Sequence, residues 1–135
     1  MAHTQALTEE MLRPLVESFY EKVRRDSALA PVFASAISDW PRHHAHLTDF
    51  WSSVMLGTGR YKGYPVALHL RHAASLTPEL FRRWLSLWRT TTAELLPGEV
   101  ADLMQAKASR IAESLQLAII HQRPPVAPST PARTV

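Results

Sequence analysis

WPRHHAHLTDFW, residues 40–51, sets His43, His44 and His46 within four positions between two tryptophans. Ser38 or Asp39 can cap a helix that has Pro41 in its first turn. From there His43, Leu47, Phe50 and Val54 recur at spacings of four, three and four, so these four share one face. At about 100° per residue, His46 falls within roughly 60° of His43, while His44 points away and is expected in solvent. An imidazole on an apolar stripe is ordinarily a half-buried helix-edge residue. A second histidine pair, His69 and His72, follows a glycine-rich stretch and makes a ligand role worth weighing.

Outward from that helix, the chain reads as helical with proline and glycine punctuation. Thr8 is a good N-cap for a segment carrying Leu12, Leu15, Val16, Phe19, Tyr20 and Val23, and Pro14 inside it predicts a kink or a break into two helices. Pro31 in SALAPVF predicts a turn. After Leu56, GTGRYKGYPVALHLRH forms a structured turn leading into a short helical piece with His69 and His72. Thr77, Pro78 and Glu79 open a helix bearing Leu80, Phe81, Trp84, Leu85, Leu87 and Trp88. A last helix runs from about Glu99 to His121, with Val100, Leu103, Met104, Ile111, Leu115 and Ile119 facing inward. Residues 1–122 are thus expected as one all-α domain, and the proline-rich 123–135 as a disordered tail.

Composition narrows the chemistry. The 135 residues suffice for one ordinary core, and the absence of cysteine excludes disulfides, thiolate zinc sites and iron–sulfur clusters. The net charge of +3, without a basic stripe, gives no footprint for nucleic acid. No apolar run approaches the ~20 residues that span a bilayer, and the start lacks the pattern of a secretory signal, so a cytoplasmic protein is expected. His43, His46, His69 and His72 could bind zinc, but their neighbours are Leu, Phe, Val and Trp, with Asp49 the only close carboxylate. A haem needs one neutral imidazole, a wide apolar slot and a few polar groups opposite, and that inventory matches better.

The order and spacing of several stretches then resemble a truncated haemoglobin, most closely the third group of that family. They are FYEKVR (19–24), APVF (30–33), the W-x-x-H…FW pattern (40–51), LG-x-G-x-Y-x-G-x-P-x-x-x-HL (56–70) and FRRWLSLW (81–88). Together they span roughly residues 8–121, and the chain lacks the glycine pairs of the first two groups. The resemblance implies a compressed globin in which two helix pairs sandwich a haem b. It implies His69 as the proximal iron ligand, with His72 the fallback one turn on. It implies Tyr20 and Trp84 as distal hydrogen-bond donors, suited to a ligand that draws negative charge, and His43 as a distal gate. His43 or His46 could instead occupy the sixth iron position. Phe33 wedges the macrocycle, Leu47, Phe50 and Val54 are wall residues, and Arg71, Arg60 and Lys62 are possible propionate partners.

The functional expectation is a monomeric or weakly associating haem protein that binds O2, and also NO and CO. Redox chemistry on O2, NO or peroxide, served by an external reductase, suits two distal donors better than O2 delivery. The alternatives are a haem-based gas sensor or storage module without turnover, and a haem-free helical interaction domain, with or without zinc.

Overall fold

The computed structural model describes residues 6–63 and 65–122. Six α helices follow in order: α1 Glu9–Arg25, α2 Leu29–Ala36, α3 Trp40–Leu56, α4 Pro65–Leu70, α5 Pro78–Leu95 and α6 Gly98–Gln122, with a 3-10 turn at Ala73–Ser75. No strand occurs among the described residues. The proline-rich tail lies outside them.

Helix α1 is the centre of the packing, lying against α2, α3 and α5, while α5 and α4 rest on α6. Its Leu12, Leu15, Val16, Phe19 and Val23 are fully buried and Tyr20 nearly so, each worth about 1.5–3 kcal/mol in apolar area removed from water. Phe19 meets Tyr20, Trp84 and Trp88 edge-on at 4.8, 5.6 and 4.9 Å between ring centroids. Edge-to-face contact suits the positive ring edge and negative face of aromatics. Trp88 stacks on Trp51 at 4.7 Å, and its indole N–H donates to the Met104 carbonyl.

Helix boundaries follow local chemistry. Asp39 accepts from the Arg42 amide at the start of α3, and Thr77 accepts from the Leu80 amide at the start of α5. Gly57 ends α3 in the left-handed region, at φ 69°, where a Cβ is unfavourable. Thr8 stands at the N-cap of α1, but its side chain makes no capping bond.

Four expectations are corrected. Pro14 does not break α1, which runs unbroken. Pro14 is exposed, and the buried Leu12, Leu15 and Val16 around it hold the helix despite the hydrogen bond it cannot make. Pro31 lies not at a turn but in the first turn of α2, where the missing N–H had no intrahelical partner to lose. The real corner is at Asp26, whose carboxylate accepts from the Ala28 and Leu29 amides. Leu103 is 63% exposed rather than inward, because the buried arc of α6 is centred on Met104, Ala108 and Leu115, more than 100° from it at about 100° per residue.

The fourth correction is His44, which is half-buried rather than solvated. It lies on the face of α3 that carries Trp51 and Ser52 toward α1, and its ring sits 5.9 Å from Tyr20 and 5.8 Å from Trp40.

Candidate ligand-binding cavity

The helices enclose a cavity of ≈ 340 Å³, walled mainly by apolar side chains and within the roughly 300–1,000 Å³ typical of small-molecule and cofactor pockets. Helix α1 contributes Tyr20, α2 contributes Leu29, Val32 and Phe33, and α3 contributes His43, His46, Leu47, Phe50 and Trp51. Trp84, Leu80 and Phe81 come from α5, and Ile111, Ala112 and Leu115 from α6. The segment after Gly57 adds Tyr61, Pro65, His69, Arg71 and His72.

His69 is fixed by its own helix. Its Nδ1 lies 2.7 Å from the Pro65 carbonyl one turn earlier, which specifies the Nδ1–H tautomer and leaves the Nε2 lone pair free. Burial lowers its pKa, more than the Pro65 hydrogen bond raises it, and His72 lowers it further. The imidazole is therefore neutral at pH 7.

Tyr20 is buried at the cavity wall. Burial raises its pKa well above the ordinary phenol value, and hydrogen bonding with Trp84 offsets only part of this, so the hydroxyl stays protonated and can donate. Trp84 also lines the cavity, and an indole only donates. His43 meets the Tyr20 ring edge-on at 4.9 Å. Its pKa is lowered to about 4 by burial first, then by His44, His46 and His69. Its Nε2 is buried without a hydrogen-bond partner, as is that of His44. A buried unpartnered nitrogen costs free energy unless something fills the space beside it.

Among the residues singled out in the sequence, Tyr20, Phe33, His43, His46, Leu47, Phe50, His69, Arg71, His72 and Trp84 all meet at this cavity. Val54 packs against the neighbouring core instead, one turn beyond the wall. Arg60 is engaged elsewhere, paired with Glu9 at 2.6 Å. Lys62 is exposed and lies off the wall. His46, Arg71 and His72 are exposed at the rim. The four histidines do not converge as a zinc site would require: among the described residues, no three His, Asp or Glu side chains come together to hold a metal ion.

Sequence reasoning missed Tyr61, which lines the cavity and meets Phe50 edge-on at 5.3 Å. It also missed the α2 residues Leu29 and Val32, because a helix of eight residues shows little periodicity. An imidazole pinned with its Nε2 free, a phenol and an indole able to donate, and apolar side chains around them are the donor set a haem requires, so the residues present fit that group.

An all-α chain enclosing such a slot has the architecture of a globin. The chain belongs to the bacterial-like globins, whose family pattern matches residues 7–113, and within them to the truncated haemoglobins. It is 33% identical over 116 residues to the group 3 truncated hemoglobin ctb of Campylobacter jejuni, covering 83% of this chain and 91% of that protein. It is 31% identical over 103 residues to the group 2 truncated hemoglobin YjbI of Bacillus subtilis, covering 74% and 76% of the two chains. The crystal structure of the group III truncated hemoglobin from Campylobacter jejuni superposes with a TM-score of 0.76 at 34% identity, covering 87% of this chain and 95% of that one. The family implies a haem cofactor and the binding of small gases such as O2. No helix among the described residues is long and apolar enough to cross a membrane.

Proposed function

We propose that this protein holds a haem b through His69 and uses the pocket for redox chemistry on O2, NO or peroxide rather than for O2 delivery, with electrons from an external reductase. The observation that carries the reading is that one apolar cavity is lined both by an imidazole pinned through Nδ1 and by a protonated, buried phenol. When bound, the haem supplies an iron with one position open to a small gas, O2, NO or CO.

His69 would hold that iron through Nε2, its ring oriented by the Pro65 carbonyl. Tyr20 and Trp84 would donate hydrogen bonds to the gas, each worth about 1–3 kcal/mol when the acceptor is charged. Such bonds slow release, which suits turnover on the bound gas better than carriage. His43, neutral and with an open Nε2, would gate the same space from α3, and His43 or His46 would be the second imidazole available to the iron when no gas is bound. Phe33, Leu47 and Phe50 wall the macrocycle and exclude water, while Arg71 and the rim histidines face its charged edge. The protein acts as a monomer or weak oligomer.

The test is the visible spectrum of purified protein, oxidised, reduced and under CO, beside His69→Ala. A strong Soret band that shifts with CO and is lost or altered in the variant is expected. A normally folded protein that stays colourless after haem is supplied would overturn the reading. Consumption of NO or peroxide with a reductase present separates turnover from a purely sensing or storage role.

A further inference from the structure

Two aromatic branches leave the cavity, and they differ in where they end. One runs from Trp84 to Trp88 at 6.2 Å and on to Trp51 at 4.7 Å. Trp88 and Trp51 are fully buried, and the Trp88 N–H is bonded to a backbone carbonyl. An indole oxidised there has no solvent to take its proton. The other branch is a single step, from Tyr20 to Trp40 at 5.7 Å. Trp40 is only partly covered, and the Arg24 guanidinium lies over its ring at 4.6 Å. Trp40 is no part of the cavity wall, so ligand binding gives no account of it.

We propose that Tyr20 and Trp40 form a one-electron relay that carries oxidising equivalents from the cavity to the surface, where Trp40 oxidises small phenol-class donors. The proposal rests on the haem reading above. The oxidant is a hydroperoxide, which takes up two electrons and two protons to give an alcohol and water. Each electron is drawn in turn from Tyr20, whose O–H bond gives up its hydrogen as proton and electron. The resulting phenoxyl radical takes an electron and a proton from Trp40, restoring the Tyr20 O–H and leaving a neutral indolyl radical. Trp40 then takes an electron and a proton from a phenol, restoring its N–H and releasing a phenoxyl radical. Over two rounds, one hydroperoxide and two phenols give one alcohol, one water and two phenoxyl radicals.

Arg24 shapes the surface step. A cation over an indole face is attracted to the neutral ring and opposes a positive charge appearing on it. It therefore makes Trp40 harder to oxidise as a cation and favours loss of the N–H proton with the electron.

The test treats haem-loaded protein with hydrogen peroxide in the presence of a nitroso spin trap, records the electron paramagnetic resonance signal, and maps adducts by peptide mass spectrometry. Haem loading is verified first by the Soret band, so failure to bind haem is told apart from failure of the relay. Adducts on Trp40 are expected, falling at least tenfold in Tyr20→Phe and vanishing in Trp40→Phe, with the radical signal retained on Tyr20 in the latter. Arg24→Ala should raise the Trp40 adduct yield. Haem-loaded protein that reacts with peroxide but carries no Trp40 adduct, or whose Trp40 adduct is unchanged in Tyr20→Phe, would overturn the relay. Circular dichroism of each variant keeps a folding defect from passing as either result.

Discussion

Six residues of α1, from Leu12 to Val23, are 4% exposed or less, whereas none of the described residues between Gly57 and Leu76 is buried. Of the first set Tyr20 lines the cavity, backed by the buried residues beside it, while the second supplies the part of the wall that carries His69. The α1 wall is held by area and ring packing. Among its described residues the other has only the partly buried Leu70, Ala73 and Leu76 packed on the α5–α6 core and leans on hydrogen bonds: Ser52 donates to Glu9 and bonds Thr58, Arg60 pairs with Glu9, and the Tyr61 amide donates to Ser53 Oγ. Packing energy is spread over many contacts and resists local opening, while an exposed hydrogen-bonded segment opens on its own. The pocket therefore joins a stiff, packed part to a lighter part that opens more readily.

The largest expected effect comes from emptying the stiff wall. Phe19→Ala should destabilise the fold by about 3–5 kcal/mol, read as a lowered midpoint in urea denaturation. A loss under 1 kcal/mol would show that the α1 wall is not the core described. Tyr20→Phe keeps the ring and removes only the donor. It should leave denaturation nearly unchanged and speed O2 dissociation by tenfold or more, the equivalent of about 1.4 kcal/mol. An unchanged off-rate would remove Tyr20 from the ligand chemistry.

Asp26 tests the corner where α1 meets α2. Burial pushes its pKa up, but Arg83 and the Leu29 and Ala28 amides pull harder, and the net shift is downward. A carboxylate lowered on folding contributes stability that is full above its unfolded pKa, near 4, and is lost as pH falls through the lower folded value. Asp26→Asn keeps an oxygen for the two amides but loses the ion pair with Arg83, and should cost up to about 1 kcal/mol at pH 7 and flatten the acid limb of the stability curve below pH 4. An acid limb as steep as that of the parent protein would overturn this assignment.

The smallest global effect is expected on the light wall. Glu9→Gln and Arg60→Ala should barely move the denaturation midpoint, since exposed ion pairs contribute little. They should nevertheless raise hydrogen exchange at the Tyr61 amide and speed haem loss. A large fall in global stability would erase the contrast between the walls.

The same contrast explains what could be read without coordinates. Helices α1, α3 and α5 declare themselves through caps and long apolar stripes, and Tyr20, His43, His69 and Trp84 could be placed on one cavity because order and spacing across several stretches agree. Helix α2 was not, since Pro31 signals a turn as readily as a first helical turn. The inward arc of α6 was misjudged at Leu103 because Ala101, Ala108 and Ala112, buried at 3% or less, carry no hydrophobic signal by size. His44 was misplaced because its neighbour across the helix gap, Tyr20, is distant in sequence. The hydrogen-bonded tie from Glu9 to Arg60 joins residues 51 apart, a pairing that no local pattern encodes.

Helix α3 divides its duties around its circumference. His43, Leu47 and Phe50 look into the cavity, while His44, Ser52 and the bulk of Trp51 look toward α1. Because the two stripes are interleaved along the chain yet separated in space, selection can act on gas chemistry at one residue and on folding at the next. A saturation scan of positions 43–55 should resolve into two sets of sensitive positions, each recurring at three or four residues and out of phase. Pocket chemistry in this scaffold can therefore diversify without the fold having to be rebuilt each time.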